Sequence, residues 1–221
     1  MKASFFFVIL LSLALISCSN KKELLRLTER NAELVNTVQE LEDELGSTRK
    51  SDQKLRFLAA KLQGVKGRFI TNYGDIEIKF FPNKAPLHCF AFIARAESGF
   101  YDNMLFHRVI KNFMLQSGDP NSKDDNPYND GTGSPLVMLP HEFSSTHHGP
   151  GILSTARQGD KSVGAGSQFF IVHSDYASLN NEYTVFGEVT KGMDVVDKIA
   201  QVETNQQDRR LKDRPIKPVR I

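Results

Sequence analysis

The chain changes its apolar period partway along, and that change constrains the fold more than any other feature. Leu27, Leu34, Leu41, Leu55 and Leu62 fall on one seven-residue register, and Leu24, Val38, Leu45 and Ala59 fall on a second. Such spacing draws an apolar stripe along an α-helix. After Gln63-Gly64-Val65-Lys66-Gly67 the pattern becomes alternating, as in Ile76-Glu77-Ile78-Lys79-Phe80, which places successive side chains on opposite faces of a strand. One element cannot satisfy both periods. The chain therefore reads as a helical stalk over residues 18–64 and a β-rich domain over residues 65–221, with the glycines at the joint.

Within the stalk, Asn31 takes a core position of the register. A buried amide pair there favours two parallel strands in fixed alignment, so a homodimer through the stalk is expected. The alternative is a single amphipathic helix that packs on its own domain or serves as a polar spacer. Gly46-Ser47, with Thr48 and Asp52 in seam positions, divides the expected helix into a firm part up to Leu45 and a looser second part.

Ahead of the stalk, Lys2 precedes an apolar run from Phe5 to Ile16. Its length suits a signal-peptide core and falls short of the ~20 residues needed to span a bilayer. The run ends in Leu15-Ile16-Ser17-Cys18, which resembles the bacterial lipobox. That resemblance implies a signal peptide over residues 1–17 and a lipid-modified Cys18, whose acyl chains would hold the domain at the membrane of a bacterial cell envelope, outside the cytoplasm. The alternative is an ordinary secretory signal with an incidental cysteine. The second cysteine, Cys89, is too different in setting to suggest a disulfide with Cys18.

In the C-terminal part, short runs at residues 69–71, 76–80, 106–110, 168–172 and 184–188 read as strands. Pro86 opens a helical pattern through Leu87, Phe90, Ile93 and Ala94, and Val195, Val196, Ile199 and Val202 suggest a second helix. Many short strands with two helices indicate a mainly β domain, an antiparallel barrel with capped ends. The 28 basic and 26 acidic residues are scattered. They form no basic stripe, which argues against nucleic acid as a partner.

The runs Phe106-His107-Arg108-Val109-Ile110 and Phe113-Met114-Leu115-Gln116-Ser117-Gly118-Asp119-Pro120, followed by Gly151-Ile152-Leu153-Ser154, Gly166-Ser167-Gln168-Phe169-Phe170-Ile171 and Val185-Phe186-Gly187, resemble the cyclophilin signature in order and spacing. The resemblance implies a closed eight-stranded barrel with two capping helices and an outer peptide groove. It also implies catalysed rotation about Xaa-Pro bonds of polypeptide clients, with no cofactor. Such rotation must overcome an imide barrier of ~18–20 kcal/mol. A donor aimed at the proline nitrogen helps because that nitrogen's lone pair is released only in the twisted transition state. By resemblance, Arg108 is that donor, Phe113 and Gln116 act with it, and Phe113, Met114, Phe170 and Leu179 form the proline socket. Tyr183 closes the rim, Gln116 anchors a substrate carbonyl, and Ala156, Arg157 and Gln168 hold the peptide backbone.

This chain departs from the family's pattern in three places. Ser178 stands where many relatives have an aromatic residue, so one wall is expected to lose a ring. Arg157 replaces the commoner asparagine, and residues 121–130 form a longer, more polar loop. A non-catalytic module that binds proline-containing segments is the alternative function. His107 is expected to support its strand, and His141, Glu142, His147 and His148 fit no compact metal motif.

Overall fold

The computed structural model describes the backbone of residues 2–221 and the side chains of all but residues 1–20, 24, 27, 28 and 31. The lipid-attachment expectation at Cys18 and the seam positions Leu24, Leu27 and Asn31 therefore lie outside the described side chains. Two compact units are present, Met1–Gln53 and Lys54–Ile221.

Helix α1 spans Lys2–Lys61. It runs unbroken through Gly46, where the sequence led us to expect a weakening; a single interior glycine costs only about 1 kcal/mol relative to alanine. In the first unit Leu25, Leu34, Val38, Leu41 and Leu45 are each at least half exposed. The second unit takes in the last helical turns, because Ala59 and Leu62 are buried and Leu62 joins the apolar core of the β domain. These two seam positions serve their own domain. Among the described residues no helix is long and apolar enough to cross a membrane.

The β domain comprises strands β1 (Lys66–Thr71), β2 (Gly74–Phe80), β3 (Arg108–Ile110), β4 (Met114–Ser117), β5 (Ile152–Arg157), β6 (Ala165–Val172) and β7 (Val185–Lys191), with helices α2 (Pro86–Glu97) and α3 (Met193–Ala200). The strands form one curled antiparallel sheet in the order β1-β2-β7-β5-β6-β4-β3. This corrects the expectation of a closed eight-stranded barrel: the sheet has seven strands, and β1 and β3 are its edges. The segment in place of an eighth strand carries Pro215 and Pro218, which lack the N–H that a ladder requires. It pairs only locally, the N–H of Phe106 donating to the Val219 carbonyl at 2.9 Å. On the other side, the Asn72 amide donates to the Pro218 carbonyl at 3.0 Å and its oxygen accepts from the Arg220 N–H at 3.0 Å.

The core lies inside the curl. Phe69 stacks on Phe169 with ring centroids 5.3 Å apart, and Phe92 of α2 meets Phe169 edge-on at 5.3 Å. Phe169 is 1 % exposed, so truncation to alanine would cost roughly 3–5 kcal/mol. Pro86 opens α2 with its fixed φ. The orphan N–H groups of Leu87 and His88 donate to the two carboxylate oxygens of Glu142, at 3.1 and 3.0 Å. Glu142 is thus a helix cap contributed from a distant loop.

Candidate active site

Period-two alternation builds the site on the outer face of the sheet. Facing residues in an antiparallel pair share a face, and the register sets Arg108 of β3 opposite Gln116 of β4, Gln116 opposite Phe170 of β6, and Phe170 opposite Ser154 of β5. The intervening Val109, Leu115, Ile171 and Leu153 point into the core, all nearly fully buried. The short link from β4 onward depends on Gly118, whose φ is 87° and where a Cβ would lie 2.3 Å from the Ser167 carbonyl oxygen. Only glycine fits so close an approach.

The row borders a groove of about 210 Å³ lined by Arg108, Phe113, Met114, Gln116, Ala156, Arg157, Phe170, Leu179 and Tyr183. All are among the residues singled out from sequence. Gln168, the remaining one, lies in an adjoining groove of about 360 Å³ that shares Gln116, Ala156 and Arg157 and extends along Thr132, Ser134 and Met138. Met114, Phe170 and Leu179 form an apolar cluster with Val172 and Val185, against which Phe113 and Tyr183 pack. Tyr183 meets Phe170 edge-on at 5.5 Å.

The polar groups differ in how far they are already engaged. Arg108 is 45 % exposed, its Nε 4.0 Å from an Asp213 carboxylate oxygen, and its guanidinium makes no hydrogen bond among the described residues. Gln116 donates one amide hydrogen to Gln168 Oε1 at 2.9 Å, and its other amide hydrogen has no partner among the described residues. Gln168 in turn donates to the carbonyls of Gly131 and Gly133 at 3.0 and 2.8 Å.

Arg157 differs most from its expected use. Its Nε donates to the Glu182 carbonyl at 2.9 Å, one terminal nitrogen to the carbonyls of Gln158 and Gly159, and the other to the Glu182 carboxylate at 3.2 Å. The guanidinium carbon sits 4.8 Å from the Tyr183 ring centre. Arg157 therefore lines the groove as a brace for Tyr183 and has few donors left for a peptide backbone. A hydrogen bond from Lys161, aided by the charges of Lys161 and Arg157, holds the Glu182 carboxyl below the usual carboxylate range.

Two buried histidines lie behind these walls. His148 Nε2 is 2.8 Å from Ser154 Oγ and its Nδ1 is 3.0 Å from Asn180 Oδ1; burial lowers its pKa. Among the described residues His107 has no partner for either ring nitrogen, and burial, opposed by Asp119, lowers its pKa to about 4. A neutral, enclosed ring at this position supports β3 and does not face the groove. Of the other polar residues considered for a metal, Glu142 caps α2 and His147 pairs with Asp175 at 2.5 Å.

Sequence reasoning missed three features. The ring of Tyr176 lies 4.5 Å from that of Phe113, which supplies an aromatic neighbour near the place where Ser178 suggested a lost one. Asp213 and the Arg214–Asp130 pair, 2.7 Å apart, were not anticipated either. An Asp-Arg-Pro triplet is the one signal in the sequence, and it is weak.

The family described as cyclophilin-type peptidyl-prolyl cis-trans isomerase/CLD matches residues 67–221. Among curated relatives, the peptidyl-prolyl cis-trans isomerase-like 2 of Rhizopus delemar is 36% identical over 70% of this chain and 28% of its own length. The peptidyl-prolyl cis-trans isomerase-like 3 of Dictyostelium discoideum is 38% identical over 68% of this chain and 91% of its own length. This chain thus spans under a third of the first of these relatives and nearly all of the second, and both are eukaryotic. A cyclophilin-type isomerase of Cryptosporidium parvum, solved in the presence of the dipeptide Ala-Pro, superposes with a TM-score of 0.62 at 32% identity, over 70% of this chain and 93% of that one. With its outer-face groove and a family match across most of its length, the chain belongs to the cyclophilin-type peptidyl-prolyl cis-trans isomerase family.

Proposed function

We propose that residues 65–221 catalyse cis/trans isomerisation of Xaa-Pro bonds in polypeptide clients. The observation that carries this reading is the guanidinium of Arg108, with no hydrogen bond among the described residues, beside an apolar socket of Phe113, Met114, Phe170 and Leu179. The socket holds the proline ring while the preceding residue turns. As the imide twists, its nitrogen pyramidalises and becomes an acceptor, and Arg108 donates to it. The interaction is absent from the planar ground state, so it lowers the barrier and does not merely tighten binding. Gln116 fixes a substrate carbonyl with its remaining amide hydrogen. The groove alone would also suit a proline-peptide binder without activity. The free donors of Arg108 favour catalysis. The test is cis-to-trans conversion of a short Ala-Pro peptide in the cold: wild type accelerates it, Arg108→Ala does not, and a folded wild type without effect overturns the reading.

The proposal extends to location and assembly on the strength of sequence. The apolar run up to Ile16 and Ser17-Cys18 support export from a bacterial cytoplasm, lipid attachment at Cys18 and clients among exported or envelope proteins. Mass spectrometry of the mature N-terminus in a bacterial host tests this, and an unmodified Cys18 would refute it. The half-exposed Leu34, Val38, Leu41 and Leu45 support a homodimer through the stalk. Sedimentation of the chain from Ser19 should give twice the monomer mass, and a monomer would leave the stalk as a spacer.

A further inference from the structure

The loop over residues 204–215 lies outside both grooves, yet two of its consecutive residues reach the polar side of the site. Asp213 adopts φ 66°, a left-handed conformation that aspartate and asparagine tolerate better than most residues. Its backbone is fully engaged: its N–H donates to the Asn205 carbonyl at 3.0 Å, and its carbonyl accepts from the Val109 N–H of β3 at 2.8 Å. The side chain is thereby turned toward Arg108, with Oδ2 4.0 Å from Nε. That separation is too long for a hydrogen bond and short enough for charge attraction, so the guanidinium is oriented while its donors stay available. The next residue, Arg214, donates to Asp130 Oδ2 at 2.7 Å, and the Asp130 side chain is 6 % exposed. Beside Asp130 stands Gly131, whose N–H donates to Asp119 and whose carbonyl accepts from Gln168, the partner of Gln116.

We propose that Asp213 and Arg214 form a positioning device for the groove. Asp213 aims Arg108 by charge, and Arg214, through buried Asp130, fixes the loop that anchors Gln168 and Gln116. The inference rests on the isomerase reading, and the two can fail separately. The experiment uses the full chain with Asp213→Asn, which keeps the backbone preference and removes the charge, alongside Arg214→Met, Arg214→Lys and Arg108→Ala. With Asp213→Asn, kcat for an Ala-Pro peptide should fall about three- to tenfold while KM changes little, as expected when an aimed group is loosened. The Arg108 Nε–H NMR signal should shift and lose rigidity, with amide signals outside β3 and the loop unchanged. Arg214→Met should raise KM several-fold, and Arg214→Lys should restore part of the loss. An active wild type with an Asp213→Asn variant that matches it in kcat and in the Arg108 signal overturns this inference alone. A wild type that accelerates nothing overturns the isomerase reading and this inference with it.

Discussion

The two walls of the groove each carry an arginine, and the arginines are held in opposite ways. Arg108 is half exposed, and among the described residues its side chain is restrained by a charge 4.0 Å away. Arg157 has a side chain only 10 % exposed, donates to three carbonyls and a carboxylate, and stacks over Tyr183. Both are cations on the same groove, but only the first has guanidinium donors left unengaged among the described residues. Chemical capacity therefore follows from what a side chain leaves unengaged, and proximity to the groove does not decide it. In the proposed isomerase reading, the wall at Arg108 serves the transition state and the wall at Arg157 the shape of the socket.

The largest effect should come from Arg108→Ala, which is expected to lower kcat/KM by roughly 10²–10³-fold, the usual consequence of deleting a donor that acts in the transition state. Its unfolding temperature should stay unchanged. If Arg157→Ala did equal damage to kcat, the contrast between the walls would collapse. Next in size is an acid sensitivity set by histidines whose pKa values burial lowers, His107 behind the Arg108 wall together with His148 and His141. The pKa of His107 is lowered to about 4, below its ordinary value of about 6.5, so the unfolded chain takes up the proton first. The stability from keeping this ring neutral is complete above pH 6.5 and is lost as pH falls toward 4, a change on the order of 3 kcal/mol. Denaturant titrations across that range should show the loss, and replacing His107 with a similar apolar residue should reduce it, leaving the share of His148 and His141. Glu182→Ala releases the brace on Tyr183, and KM should rise about three- to tenfold with kcat preserved, the signature of weakened uniform binding. The smallest effect is expected from Arg157→Asn, within about threefold in kcat/KM, because an asparagine can reach a substrate backbone that the braced arginine does not.

The groove was legible from the sequence because its residues lie in dense local motifs. The run from Arg108 to Gln116 forms one hairpin, so the spacing of Arg108, Met114 and Gln116 alone sets them on one face. Residues joined by folding across long stretches were not legible. Arg214 and Asp130 are 84 residues apart, and neither charge has a local pattern that names its partner. The committed state of Arg157 was hidden because it depends on Glu182, which reaches it only when β7 and the loop before it close on β5. The stalk was legible as a helix from its register, but the burial of Ala59 and Leu62 against the β domain is a tertiary outcome that a seam pattern cannot distinguish from pairing with another helix. The missing eighth ladder could have been foreseen from Pro215 and Pro218.

The cap on α2 ties the timing of one element to another. Leu87 and His88 lack their acceptors until Glu142 arrives, so on a ribosome this helix stays frayed at its start until some 55 further residues have been made and have left the exit tunnel. Cys89 is covered later still, because its thiol donates to the Phe186 carbonyl of β7 at 3.3 Å, and in the finished fold burial pushes its pKa up to about 12. Thiol labelling of nascent chains stalled before and after residue 186 should therefore record the moment at which β7 closes over a helix already capped by Glu142.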